Sequence, residues 1–224
     1  MKNKILTEHQ IAFLKELGKN PVLAKQFYLS GGTALAGFYL HHRYSEDLDF
    51  FSESEIDTMT LTTFLKKIQK SLGFKKIDFQ QSYNRNLFFL DYGDEILKTE
   101  FTFFPFPMIE KGPSFHGVKI NSLIDIATNK LFTIYQRSHA RDYIDLYCLC
   151  KSQKYTIKEL IKLAKAKFDW HIDALQLGTQ FIKAKKTKDL PRMLIPLNEK
   201  EWHTFFEKEA KKLKGRILDE RIDQ

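Results

Sequence analysis

The sequence predicts an α+β protein, with a mixed sheet flanked by helices followed by a helical bundle. Three observations predict it. Short apolar runs of strand length, bounded by Gly, Asp and Pro, recur up to about Lys119. Helical apolar spacing appears between them, at Ile11, Leu14 and Leu17 and at Leu61, Phe64, Ile68 and Leu72. After Asn121 the strand patterns stop and only spacings of three and four remain. The expected organisation is an α/β domain over 1–120 and a helical domain over 121–224, with no Gly/Ser-rich linker between them.

Each element has a local reason. Thr7-x-x-Gln10 is a capping box that opens a first helix, and Gly18 with Asn20-Pro21 is expected to end it. Phe27–Ser30 reads as a strand and Gly31-Gly32 as a turn. Thr33 is a suitable N-cap for a helix of about two turns through Tyr39. His41–Tyr44 is an exit loop, where the histidines suit the negative end of the helix dipole. Asp47–Phe51 is a second strand, and Leu61–Leu72 an amphipathic helix. Phe74–Ser82, Asn86–Leu90 and Glu95–Phe104 are strands, with Asp91–Asp94 as a hairpin turn. Pro113–Lys119 is one more short strand. The helical half holds Ser122–Tyr135, Ala140–Cys150, Thr156–Ala166, His171–Ala184 and Glu199–Leu213.

Composition bounds the partners. The 224 residues carry 36 Lys+Arg against 28 Asp+Glu, a net charge of +8. Up to Cys150 there are 18 basic and 17 acidic residues, and after it 18 basic and 11 acidic, so the excess lies in the last third. That asymmetry suits an anionic partner, and equally a Lys-rich solvated helical surface. Lys183, Lys185, Lys186 and Lys188 form its densest run, readable as a solvated helix end or as a contact for RNA phosphates. Cys148 and Cys150 are two apart in a helix and read as free thiols of a reducing compartment. Met1–Gln10 is polar and no apolar run approaches the ~20 residues of a membrane span, so a cytoplasmic protein with no membrane partner is expected.

The chemistry concentrates in Phe27–Ser52, FYLSGGTALAGFYLHHRYSEDLDFFS. Asp47 and Asp49 are one residue apart on a strand, which puts both carboxylates on one face with Leu48 and Phe50 behind them. Two such anions repel unless a cation or proton holds them, and hard oxygen donors suit Mg2+. The alternative is a solvated strand end. Gly31-Gly32, between a strand and a helix, lets backbone N–H groups approach a phosphate, or is simply a tight turn. Glu100, in LKTEFTFF, joins the two aspartates if its strand pairs beside Asp47–Phe51. Lys98 shares its face and is expected to pair with it. Three carboxylates could hold two Mg2+ ions about 3.5–4 Å apart.

Leu29-Ser-Gly-Gly-Thr-Ala-Leu, followed by Arg43-x-Ser45-x-Asp47-Leu-Asp49-Phe, resembles the AbiEii/AbiGii-type toxin nucleotidyltransferases of bacteria, within the polymerase-β-like superfamily. Lys130-Leu-Phe-x-x-x-x-Arg137 and Arg141-Asp142-Tyr-Ile-Asp145-Leu-Tyr147 are similar to that family's third and fourth motifs. The resemblance covers Phe27–Leu149 and implies a nucleotidyltransferase-like sheet domain. It implies that Gly31, Gly32 and Thr33 hold NTP phosphates, with Arg43 and Ser45 beside them. Asp47, Asp49 and Glu100 would bind Mg2+, Lys130 would meet the triphosphate, and Arg141, Asp142 and Asp145 would lie by the nucleotide. The superfamily's third carboxylate is commonly Asp, and here it is Glu. From the residues alone, Arg141 and Asp145 are also i,i+4 neighbours that could form an ion pair.

The expected activity is Mg2+-dependent transfer of NMP from an NTP to a hydroxyl acceptor, with release of pyrophosphate. RNA such as tRNA is the expected acceptor. The resemblance implies the toxin of a toxin–antitoxin pair, with a separate antitoxin protein as partner. The rival readings are a small-molecule nucleotidyltransferase of the antibiotic-modifying kind and a catalytically inactive nucleotide- or RNA-binding module.

Overall fold

A computed structural model of the chain describes residues 5–222, and side chains through Leu213. Residues 1–4 of the polar opening stretch lie outside the described residues. The chain divides into two compact units, Met1–Ser122 and Leu123–Gln224.

The first unit opens with α1 (Glu8–Lys19), whose Thr7/Gln10 capping box forms as the sequence predicts. Gly18 does not stop it. Asn20 ends α1 and at once caps α2 (Pro21–Gln26), its Oδ1 accepting from the N–H groups of Val22 and Leu23. Pro21 stands at the first helical position, where its fixed φ starts a helix, so it opens α2 as well as marking the end of α1. After β1 (Tyr28–Ser30) the chain enters α3 (Gly31–Leu35) without a turn, and one π-helical turn follows over Ala36–Leu40. Ser30, not Thr33, is the capping position, so Thr33 sits inside the helix. His41 closes it in the left-handed region, with its Nδ1 3.0 Å from the Ala36 carbonyl.

The remaining elements of this unit are β2 (Leu48–Ser52), α4 (Thr58–Leu72), β3 (Lys76–Ser82), β4 (Arg85–Asp91), β5 (Ile96–Phe103), β6 (Ser114–Phe115) and β7 (Val118–Ile120). α4 starts a turn earlier than its apolar stripe because Asp57 caps it through Met59 N–H. The single strand expected at Pro113–Lys119 is two, since His116 and Gly117 turn the chain with positive φ. The seven strands form one mixed sheet in the order β3-β4-β5-β2-β1-β7-β6. β2 pairs antiparallel with β1 and parallel with β5.

One face of this sheet is the core. Leu48, Phe50, Leu97 and Phe101 are buried there with Phe13 and Leu17 of α1 and Leu61 and Leu65 of α4. Phe50 stacks on Phe101 at 4.9 Å, and Phe27 meets Phe101 edge-on at 4.9 Å. Alternation then sends Asp49, Lys98 and Glu100 to the opposite face.

The second unit, among the described residues, is helical: α5 (Leu123–Gln136), α6 (Ala140–Gln153), α7 (Ile157–Phe168), α8 (Ala174–Lys183) and α9 (Glu199–Ile222). Asp173 caps α8, which shortens the expected helix at its start. A 3-10 turn follows it at Ala184–Lys186. Tyr143, Phe181, Trp202 and Phe206 fill this core. Lys167 and Asp125 form an ion pair at 2.5 Å with both side chains fully buried. Both cysteines are free thiols, and burial pushes the Cys150 thiol up to about 12. No helix among the described residues is long and apolar enough to cross a membrane.

Phe101 touches three other buried rings, so Phe101→Ala removes both area and the contact that holds β5 to β2. It is expected to cost about 3–5 kcal/mol, read by urea denaturation.

Candidate active site

The site grows out of the β1–α3 junction and the two central strands. Gly31 has φ +70, and a Cβ there would stand 2.5 Å from the Asp49 carboxylate. A Cβ on Gly32 would run into the Arg43 guanidinium and sit 3.0 Å from Ser45 Oγ. Any side chain at either position would displace the groups the motif holds, which explains the glycine pair more sharply than turn propensity does. Arg43 is buried and donates to its neighbour's carbonyl, Tyr44, at 2.9 Å. Thr33 Oγ1 is 2.8 Å from Ser45 Oγ and also meets the Asp47 carbonyl. Its hydroxyl therefore fastens the loop ahead of β2. Gln10 holds the same loop from α1, its amide donating to the Glu46 carbonyl at 2.8 Å.

Asp49 and Glu100 are in-register partners on the parallel β2–β5 pair, and Ser30 is Asp49's partner on β1. Neighbouring strands lie about 4.8 Å apart, so the two carboxylates leave adjacent points on one face, as the sequence reading required. Their counter-ions differ from that reading. Lys98 donates not to Glu100 but to Asp47 Oδ2, at 2.7 Å. Glu100 is gripped by Arg85 of β4, Nε to Oε1 and Nη2 to Oε2, both at 2.6 Å. The Thr102 hydroxyl adds a third donor to Oε1 at 2.9 Å. The reason is register: Arg85 opposes Thr102 and Leu87 opposes Glu100, so Arg85 reaches Glu100 along the diagonal.

Burial pushes the Glu100 carboxyl up, but the Arg85 hydrogen bonds, followed by the Thr102 hydroxyl, outweigh it and leave it below its ordinary value. Arg85 is raised in turn, chiefly by its bond to Glu100. Among the described residues no three His, Cys, Asp or Glu side chains converge to hold a metal as they stand. The donor chemistry nevertheless suits a hard divalent cation. Asp49 and Glu100 share a face, Asp47 stands just ahead of β2, and oxygens of Asp47 and Glu100 meet Lys98 and Arg85.

The helical unit gathers the later motifs into a cluster of its own. Lys130 Nζ is 2.7 Å from Asp142 Oδ1 and 2.7 Å from Asp145 Oδ2, with all three side chains nearly or fully buried. Arg137 Nη2 lies 3.6 Å from Asp142 Oδ2. Asp145 thus pairs with Lys130, and its i,i+4 neighbour Arg141 is exposed. His139 and the Ala140 N–H are both bound by Asp189, which ties the loop after α8 to the start of α6.

A strand, glycine pair, helix and Asp-x-Asp strand in a mixed sheet define a nucleotidyltransferase fold, and the comparisons agree with it. A model of the family "Nucleotidyl transferase AbiEii toxin, Type IV TA system" matches residues 12–223. The chain belongs to this family of toxin nucleotidyltransferases. An uncharacterised Aquifex aeolicus protein is 32% identical over 150 residues, 65% of this chain and 68% of that one. The crystal structure of JHP933 from Helicobacter pylori aligns with a TM-score of 0.60 at 21% identity, covering 96% of this chain and 93% of that chain. MenT4, a nucleotidyltransferase toxin from Mycobacterium tuberculosis, aligns at 0.49 with 15% identity, covering 93% and 86%. At 21% identity the likeness to the Helicobacter pylori structure is one of fold. Membership in a toxin–antitoxin family implies an NTP substrate and an antitoxin partner.

Two outcomes follow from these pairings. Lys130→Ala leaves Asp142 and Asp145 buried without their ammonium, and a loss of about 3–5 kcal/mol is expected in urea denaturation; a loss under about 1 kcal/mol would mean that the cluster is no more than a surface pair. Because the folded Glu100 carboxyl lies below its ordinary value of 4.5, its contribution is full above that pH and fades as pH falls through the folded value. Glu100→Gln should therefore lower Tm at pH 7, with the gap from wild type narrowing as pH falls below 4.5.

Proposed function

We propose that the chain transfers a nucleoside monophosphate from an NTP to a hydroxyl group of RNA such as tRNA, using Mg2+ held by Asp47 and Asp49 with Glu100 beside them. The observation that carries this reading is the β2–β5 register, which stands Asp49 next to Glu100, while Lys98 of β5 reaches Asp47 just ahead of β2. Mg2+ bound there would neutralise charge on the triphosphate and on the attacking oxygen.

The chain's own groups supply the rest. Gly31 brings backbone close to the Asp49 carboxylate, and Gly32 close to Arg43 and Ser45, with no side chain to obstruct a phosphate. Thr33, Arg43 and Ser45 hold the start of α3 and the loop ahead of β2 in one arrangement, so orientation is in place before substrate arrives. In the helical unit, the family resemblance assigns Lys130, Arg141, Asp142 and Asp145 to nucleotide binding, and two carboxylates fix the Lys130 ammonium in one position. Exposed Lys183, Lys186 and Lys188 favour an acceptor with many phosphates.

Incubation with each labelled NTP, Mg2+ and total bacterial RNA tests this reading. Label should enter RNA, and Asp49→Ala should reduce it by at least about 100-fold. Label confined to small metabolites would shift the acceptor class. No pyrophosphate release with any NTP and acceptor would overturn the assignment.

A further inference from the structure

Arg85 stands outside every motif described above, yet it grips a site carboxylate through two hydrogen bonds. Its guanidinium takes both Glu100 oxygens at 2.6 Å, and Lys98 takes Asp47 at 2.7 Å. Two of the three carboxylates thus meet a cation of the chain. Both Glu100 oxygens and Oδ2 of Asp47, which could donate to a metal, are taken by protein donors.

We propose that Arg85 and Lys98 are built-in counter-ions that a divalent cation has to displace, and that Arg85 sets how tightly the free protein takes the ion. The inference rests on the reading of Asp47, Asp49 and Glu100 as the metal-holding face.

Exposure makes Arg85 the member that moves. The Glu100 side chain is 8% exposed and the Arg85 side chain 47% exposed. Glu100 is fixed on a central strand with Thr102 as a further donor, whereas Arg85 is the first residue of β4, next to the Tyr83 turn. The guanidinium can swing into water while its backbone stays paired. Glu100 left alone would be a nearly buried, uncompensated carboxylate, so Arg85 leaves only when another cation arrives.

Two consequences follow. Metal affinity of the free chain is reduced by the competition. Once off Glu100, the planar guanidinium is a ready fork for phosphate oxygens, so NTP and metal bind cooperatively. In that role Arg85 positions charge and is not a ligand of the ion.

Mn2+ titration of the metal-free full chain, followed by the loss of free-ion EPR signal, reads the competition without requiring activity. Arg85→Ala should bind Mn2+ roughly tenfold more tightly than wild type. Arg85→Gln, which keeps most of the side-chain volume, should do the same if the alanine variant folds poorly. The gain should disappear in Arg85→Gln/Glu100→Gln, and Mn2+ should raise Tm more in Arg85→Gln than in wild type. Unchanged or weaker Mn2+ binding in both Arg85 variants would overturn the proposal, as would a gain that survives Glu100→Gln or the absence of binding in every variant. Wild-type transfer of label to RNA with no Mn2+ gain in the Arg85 variants would leave the proposed function standing and remove this inference alone.

Discussion

Phe50 and Phe101 stack between two parallel strands, and the carboxylate face depends on that contact. The two rings are in-register partners on the core side of β2 and β5, 4.9 Å apart and nearly parallel. Their neighbours one residue back, Asp49 and Glu100, are therefore in-register on the other side. A slip of one residue would turn Phe101 out of the core and Glu100 into it. Four buried rings, Phe27, Phe50, Phe88 and Phe101, resist that slip together. The hydrophobic core and the candidate active site are two faces of one pairing, and the stability of the first sets the geometry of the second.

On the open face the problem is electrostatic. Carboxylates on adjacent strands repel, and Arg85 and Lys98 offset that repulsion. Among the described residues no three acidic side chains converge, and these two cations take oxygens of Glu100 and Asp47. The helical unit shows a related arrangement, with Lys130 shared by two buried carboxylates. In both units, motif residues are kept in place by opposite charge drawn from the chain itself.

Much of this was legible in the sequence. Strand alternation marked Asp49 and Glu100 as outward carboxylates, but β2 begins at Leu48 and not at Asp47, so Asp47 stands just ahead of the strand. Whether Glu100 stood beside Asp49 depended on strand order, which local pattern does not carry. The partners were missed for the same reason. Lys98 looked like Glu100's neighbour along one strand, but it pairs across strands with Asp47. A signal for Arg85 did exist: counting from the hairpin turn pairs Asp91 with Ile96 and hence Arg85 with Thr102, one diagonal step from Glu100. By sequence Thr33 fits a cap because it follows two glycines. The helix starts at Gly31 instead, and the hydroxyl serves the Asp47 loop. Pro21 punctuates as expected, but opens a helix as well as closing one. The Lys130 cluster depends on how α5 and α6 turn back on each other, and helical spacing alone offered Arg141–Asp145 as readily.

On the proposed function, a divalent cation binds between the Asp-x-Asp pair and Glu100 once Arg85 and Lys98 give way. A crystal structure of the chain with Mn2+ and a non-hydrolysable NTP tests it directly, since anomalous scattering locates the ion. The account predicts a peak coordinated by Asp47 and Asp49 with Glu100 released from Arg85. A peak away from this face, or an ion bound while Arg85 still grips both Glu100 oxygens, would contradict it.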